Sequence, residues 1–113
     1  MGYRIHYKVG GRTMLARVSG RSPTRAAAIG REIRKEAQRA CVEHLVIDVR
    51  GLVDRLGSLG ALALAACRDH RVAVVDGDEN ERYHPFSEYL ARRRKSQLRY
   101  FTDPRAALAW LDD

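Results

Sequence analysis

The sequence is poor in the features that mark several large protein classes. It has 2 cysteines in 113 residues, Cys41 and Cys67, and neither has a partner at metal-ligand spacing. That excludes a disulfide framework and a short-chain zinc motif. Both lie in alanine-rich, helix-like surroundings and are expected to be buried thiols of a cytoplasmic protein. No apolar run approaches the roughly 20 residues that a membrane-spanning helix needs. The opening "MGYRIHYKVGG" alternates polar and apolar residues, unlike the apolar centre of a signal peptide. No internal repeat or low-complexity linker divides the chain. His6, His44, His70 and His84 are scattered, and no Ser-His-Asp or Cys-His arrangement stands out. No aromatic residue interleaves with the arginines of "ARRRKSQ", so a nucleic-acid signature is lacking as well.

What is present is an ordinary globular composition, 45% hydrophobic and 31% charged, enough for one domain spanning residues 1–113. The net charge is +7. The basic residues are spread, and only "RRRK" is a run. Cations at a helix C-terminus complement the helix dipole, so this run reads as a solvated helix end and nucleic acid is disfavoured.

The order of elements follows from periodicity. Residues 3–9 and 13–19 alternate as strands around Gly10-Gly11, a hairpin signal. Ser22-Pro23 opens a helix as N-cap and first helical residue. Ala26, Ile29, Ile33, Ala37 and Ala40 give this helix one apolar face. "HLVIDV" (44–49) and "RVAVV" (71–75) are apolar runs of the kind buried on both faces of a sheet. A helix from about Asp54 to Cys67 lies between them. A loop closing at His84-Pro85 precedes a helix over 86–94, where Phe86 and Leu90 form a core pair. A strand follows at 97–101. Thr102-Asp103-Pro104 caps a last helix anchored by Leu108, Trp110 and Leu111. The fold class is therefore α/β. A mixed sheet of about five strands, an N-terminal hairpin followed by parallel strands, is covered by about four helices. Strands 45–49 and 71–75 are expected to be parallel neighbours.

"LVIDV" leading towards "GSLGALALA", with "VAVVDGDE", the aromatic strand "LRYF" and the closing "AWL", resembles the STAS domain of bacterial anti-sigma factor antagonists, and within it the SpoIIAA-like branch. The resemblance implies a cytoplasmic regulatory module, monomer or homodimer, that binds a protein partner and needs no cofactor. In the antagonists an acid, a phosphorylatable serine and a glycine stand at the helix start. Counted from Asp48, these positions fall on Leu56, Ser58 and Leu59. Only the serine matches, so the resemblance implies a partner surface at Asp54, Arg55, Gly57, Ser58 and Gly60 without a complete phospho-switch. A phosphate there would meet the helix dipole, with Arg50 or Arg55 to pair with it. The residues alone also allow a plain core helix, with Leu56, Leu59, Ala63 and Ala66 as its stripe and Ser58 as a small surface residue.

Asp48, Asp54, Asp76 and Asp78 fall at or just beyond the ends of the two buried strands, the edge where open α/β sheets often bind ligands. Nothing in their spacing forces the two or three oxygens of a metal site to converge. They read as solvated loop and capping acids, and neither a metal site nor a catalytic residue is expected. Asp76, Tyr83, Phe86 and Tyr89 can edge a pocket near the helix over 86–94. That supports the alternative function, a domain binding an apolar or anionic small molecule, by analogy with lipid-carrier folds. Nucleic-acid binding and metal-dependent catalysis stand behind both.

Overall fold

The computed structural model describes residues 2–21, 26–53, 70–77, 84–93 and 97–112. Five strands form one sheet in chain order: β1 (Tyr3–Gly10), β2 (Thr13–Arg21), β3 (His44–Val53), β4 (Arg71–Val75) and β5 (Leu98–Phe101). β1 is antiparallel to β2, and every later pairing is parallel. The expected parallel neighbours are found, from His44 opposite Arg71 to Asp48 opposite Val75. Three helices are described where about four were expected: α1 (Ala26–Ala40), α2 (His84–Arg93) and α3 (Pro104–Leu111). The helix expected from about Asp54 to Cys67, and the Ser22-Pro23 opening of α1, lie outside the described residues. His84 and Pro85 belong to α2 itself rather than to a preceding loop.

The hairpin is held at both ends by glycine. Gly11 takes φ 59° at the first central position of the two-residue turn, where an L side chain is strained. At the open end Gly20 has φ 103°, and a Cβ there would collide with the Gly2 carbonyl oxygen. That close approach lets the Arg21 N–H donate to Gly2 at 3.0 Å.

Alternation along the strands divides the core in two. Met14, Ala16, Val18, Leu45, Ile47, Val49, Val72 and Val74 face α1, whose Ile29, Ile33 and Ala37 are buried, and α2, whose Ala91 is buried. Val46, Ala73 and Val75 face α3 through Ala107 and Leu111. β3 runs to Val53, beyond the apolar run that announced it. Between Arg17–Asp48 and Ser19–Gly51 its register against β2 slips by one residue, a bulge opposite Val18. The extra residue resets the alternation, so Leu52 rather than Gly51 rejoins the core beside Val49.

Two termini depart from expectation. α1 ends with the Cys41 N–H donating to Gln38 (3.2 Å) and the Val42 N–H to Ala37 (3.3 Å). These are the paired bonds of a Schellman cap, which puts Cys41 at φ 57° and turns its side chain outward. Cys41 is therefore exposed, not buried. In α3 the Asp103 carboxylate accepts from the Arg105 N–H at 3.0 Å and Pro104 opens the helix, as read from the sequence. Its buried stripe, however, is Ala107 and Leu111, with Leu108 48% exposed, because 107 and 111 are one helical turn apart.

Candidate functional site

The best-formed polar arrangement lies on the α3 side of the sheet, in the middle of β3, level with the end of β4. Asp48 is buried there, at 5% exposure. Its oxygens accept from the Arg50 backbone N–H (3.0 Å), from Arg50 Nε (3.0 Å) and from an Arg50 terminal nitrogen (2.8 Å). Arg17, directly across in register on β2, adds its Nε at 3.8 Å. Burial alone would push the Asp48 carboxyl up. The Arg50 side-chain and backbone hydrogen bonds, with the charges of Arg50 and Arg17, outweigh it and hold the group below the ordinary carboxylate range. A bidentate guanidinium occupies the lone pairs that a metal or a proton-transfer partner would use.

The solvated reading of the strand-end acids thus fails at two positions. Asp48 is clamped, and Asp76, just past β4, is fully buried. The Asp76 N–H donates to Phe101 at 2.9 Å, and its Oδ1 accepts from the Gly77 N–H at 2.7 Å. Both acids are buried and hydrogen-bonded rather than projecting into water. Arg50, one of two expected phosphate partners, is already bound to Asp48. The signal was present as Asp48-Val49-Arg50, two like-facing neighbours on one strand, but it needed the sheet register to add Arg17.

Of the other residues named from sequence, Asp54, Arg55, Gly57, Ser58, Gly60, Asp78 and Tyr83 lie outside the described residues. Phe86 is the third residue of α2. Tyr89 is exposed on α2 and its hydroxyl accepts from Arg93 at 3.3 Å.

At the opposite end of the sheet, the starts of β3 and β4 border a hollow of about 460 Å³ that the sequence did not announce. Arg12, Thr13, His44, Arg71, Leu111 and Asp112 line it. Its cations are engaged: Arg12 pairs with Glu43, and the Arg71 guanidinium stacks 4.1 Å above the Trp110 ring.

The two edge strands differ. On β5, Gln97 and Phe101 turn their carbonyls towards β4, so the Tyr100 N–H points away from it and donates to the Glu88 carboxylate of α2 at 2.8 Å. On β1, residues 6–10 are all exposed. Tyr3 and Ile5 turn towards α1, where the Tyr3 hydroxyl donates to Glu32 at 2.8 Å. Tyr7 shares that side. Its phenol is pushed up to about 12 by burial, then by Glu32, Glu36 and Tyr3, with Arg39 opposing.

No family model and no curated protein matches the sequence. Solved structures do. An anti-sigma factor antagonist from Mycobacterium paratuberculosis superposes with a TM-score of 0.67 at 17% identity, covering 99% of this chain and 96% of that one. An uncharacterized protein with a SpoIIAA-like fold from Shewanella loihica PV-4 superposes with a TM-score of 0.61, also at 17% identity, covering 97% of this chain and 93% of that one. The hairpin, the parallel strands and the flanking helices therefore make up the STAS, SpoIIAA-like fold.

Proposed function

We propose that the chain is a single-domain, cytoplasmic regulatory module that binds a protein partner and carries out no chemistry of its own. The observation that carries this reading is the likeness, over nearly the full length of both chains, to an anti-sigma factor antagonist. The clamped Asp48 supports it, since a carboxylate held by two guanidiniums is suited to fixing a surface rather than to acid–base work. The partner surface comprises Asp54, Arg55, Gly57, Ser58 and Gly60. Leu56 and Leu59 stand where the antagonists carry an acid and a glycine, so Ser58 marks a docking surface without a complete phospho-switch.

The test is capture of partners from the native cytoplasm by wild type, Ser58→Ala and Ser58→Asp. Ser58→Ala leaves partner capture within about twofold of wild type, and Ser58→Asp lowers it about tenfold, because a charge enters the interface. Phosphate on Ser58 in native protein, with loss of regulation in Ser58→Ala, would show a working switch instead.

The hollow near His44 and Arg71 favours a second reading, a small-molecule ligand. Mass spectrometry of the natively purified protein, before and after denaturation, separates the two: a stoichiometric small molecule supports the ligand reading. The pocket expected at Asp76, Tyr83, Phe86 and Tyr89 belongs to the same alternative.

A further inference from the structure

We propose that β1 is a strand-addition edge for an extended acidic segment. Alternate residues of that segment would be acidic and seated beside Arg4 and Lys8, while the residues between them are apolar and cover Tyr7 and Val9. This edge is distinct from the surface at residues 54–60 and does not rest on it.

β1 ends the sheet, and among the described residues no other strand pairs with its outer side. An edge of this kind offers a row of backbone donors and acceptors to an added strand. Its two faces have opposite character. Alternation puts Arg4, His6 and Lys8 on the face away from α1, next to Arg17 of β2, and all four are exposed. Residues 3–21 contain Arg4, Lys8, Arg12, Arg17 and Arg21 and no acidic residue. Arg12 and Arg17 have carboxylate partners in Glu43 and Asp48. Arg4 and Lys8 have no ion pair among the described residues. The other face exposes Tyr7 (37%) and Val9 (53%), with Glu32 and Glu36 of α1 close enough to Tyr7 to raise its phenol. Glu32 and Glu36 outnumber Arg39 around Tyr7, so a carboxylate is less favoured on that side than beside Arg4 and Lys8. The alternation wanted in the occupant follows from this contrast.

The same charges choose among occupants. A second copy of β1 added antiparallel about His6 sets Arg4 opposite Lys8. About Tyr7 it sets His6 opposite Lys8, and about Ile5 it sets Arg4 opposite His6. These three central registers crowd basic groups, which opposes self-pairing and favours an acidic strand. Nucleic acid fits less well, because single strands use cations and stacking aromatics on one surface, and here Tyr7 is on the face opposite Arg4 and Lys8.

The probe is a labelled eight-residue peptide alternating Glu and Val, read by fluorescence anisotropy and by hydrogen exchange of the β1 amides. Its comparators are a peptide of the same composition with the glutamates grouped, and an oligothymidylate. Two N-methylated versions of the alternating peptide carry the methyl groups in its two possible frames. The alternating peptide binds and slows exchange in β1, while the grouped one binds about tenfold more weakly. Only one methylated frame binds, since only one set of amides faces the edge. Arg4→Glu with Lys8→Glu lowers affinity about tenfold or more, with the thermal midpoint unchanged because both side chains are exposed and have no ion pair among the described residues. The proposal is overturned by equal binding of the grouped peptide or the oligothymidylate, by equal binding of the two methylated frames, or by no binding of the alternating peptide at millimolar concentration.

Discussion

Among the described residues the two edges of the sheet differ, and the difference includes a single capping carboxylate. At β5, Glu88 reaches from α2 to take the Tyr100 backbone N–H, which points away from β4, at 2.8 Å. At β1, residues 6–10 lie exposed on both faces, and the strand carries a charged face instead of a cap. A sheet edge is a template for further pairing unless it is covered, capped or charged. A cap removes a donor that any incoming strand would need. Charging rejects some strands and admits others. The difference between the edges therefore separates a boundary from a potential interface.

The largest test of that comparison is at the anchor of the open edge. Gly20→Ala places a Cβ against the Gly2 and Tyr3 backbone at a positive φ, where no flexible neighbour can yield. Urea denaturation should show a loss of about 3 kcal/mol or more. Loss of β1 protection ahead of β3 and β4 in hydrogen exchange would identify the hairpin as the site of damage. A change under about 1 kcal/mol would mean that β1 is not held as described.

The middle of the sheet supplies the reference. Asp48→Asn removes a buried acceptor from Arg50 and Arg17 and should cost about 2 kcal/mol at neutral pH. The pH dependence has a definite sign. The folded-state Asp48 lies below its ordinary value, so its contribution is full above about pH 4 and is lost as pH falls through the lower, folded-state value. Wild type should lose stability over that acid range, and the Asn variant should have a flatter profile there. Parallel profiles would remove Asp48 from the account.

The smallest expected effect is at the closed edge. Glu88→Ala leaves the Tyr100 N–H without its carboxylate and should cost about 1–2 kcal/mol by thermal or urea melting. More informative is the second readout: sedimentation should show stronger concentration-dependent association than wild type, because a further edge donor is now available. Glu88→Gln keeps an acceptor in place and should restore wild-type behaviour. Stronger association in both variants, or in neither, would break the comparison between the edges.

Much of this architecture was legible in the residues. Gly10-Gly11 between alternating runs gave the hairpin, "HLVIDV" and "RVAVV" the paired buried strands, and Asp103-Pro104 the start of α3. Each is a local pattern in which backbone preference and burial agree, so neighbours in sequence suffice to reveal it. The readings that failed depended on distant neighbours. Cys41 looked buried by composition but sits at a helix stop that turns it outward. Leu108 looked like core until the sheet chose the Ala107 and Leu111 side of α3. Asp48 looked like a solvated acid until β2 brought Arg17 beside it. The expected partner surface around Ser58 remains a reading of sequence.

By itself the sequence determined the order and type of the elements, because period-2 and period-3.6 burial are written residue by residue along the chain. It also determined a basic hairpin with no acid in residues 3–21. Only the tertiary structure decided where those charges went. Strand order put β1 on the outside, the bulge opposite Val18 reset which face of β3 enters the core, and helix packing gave β5 a carboxylate that β1 does not have. The physical reason is that electrostatics and edge pairing act through space between residues far apart in the chain, while helix and strand formation act along it.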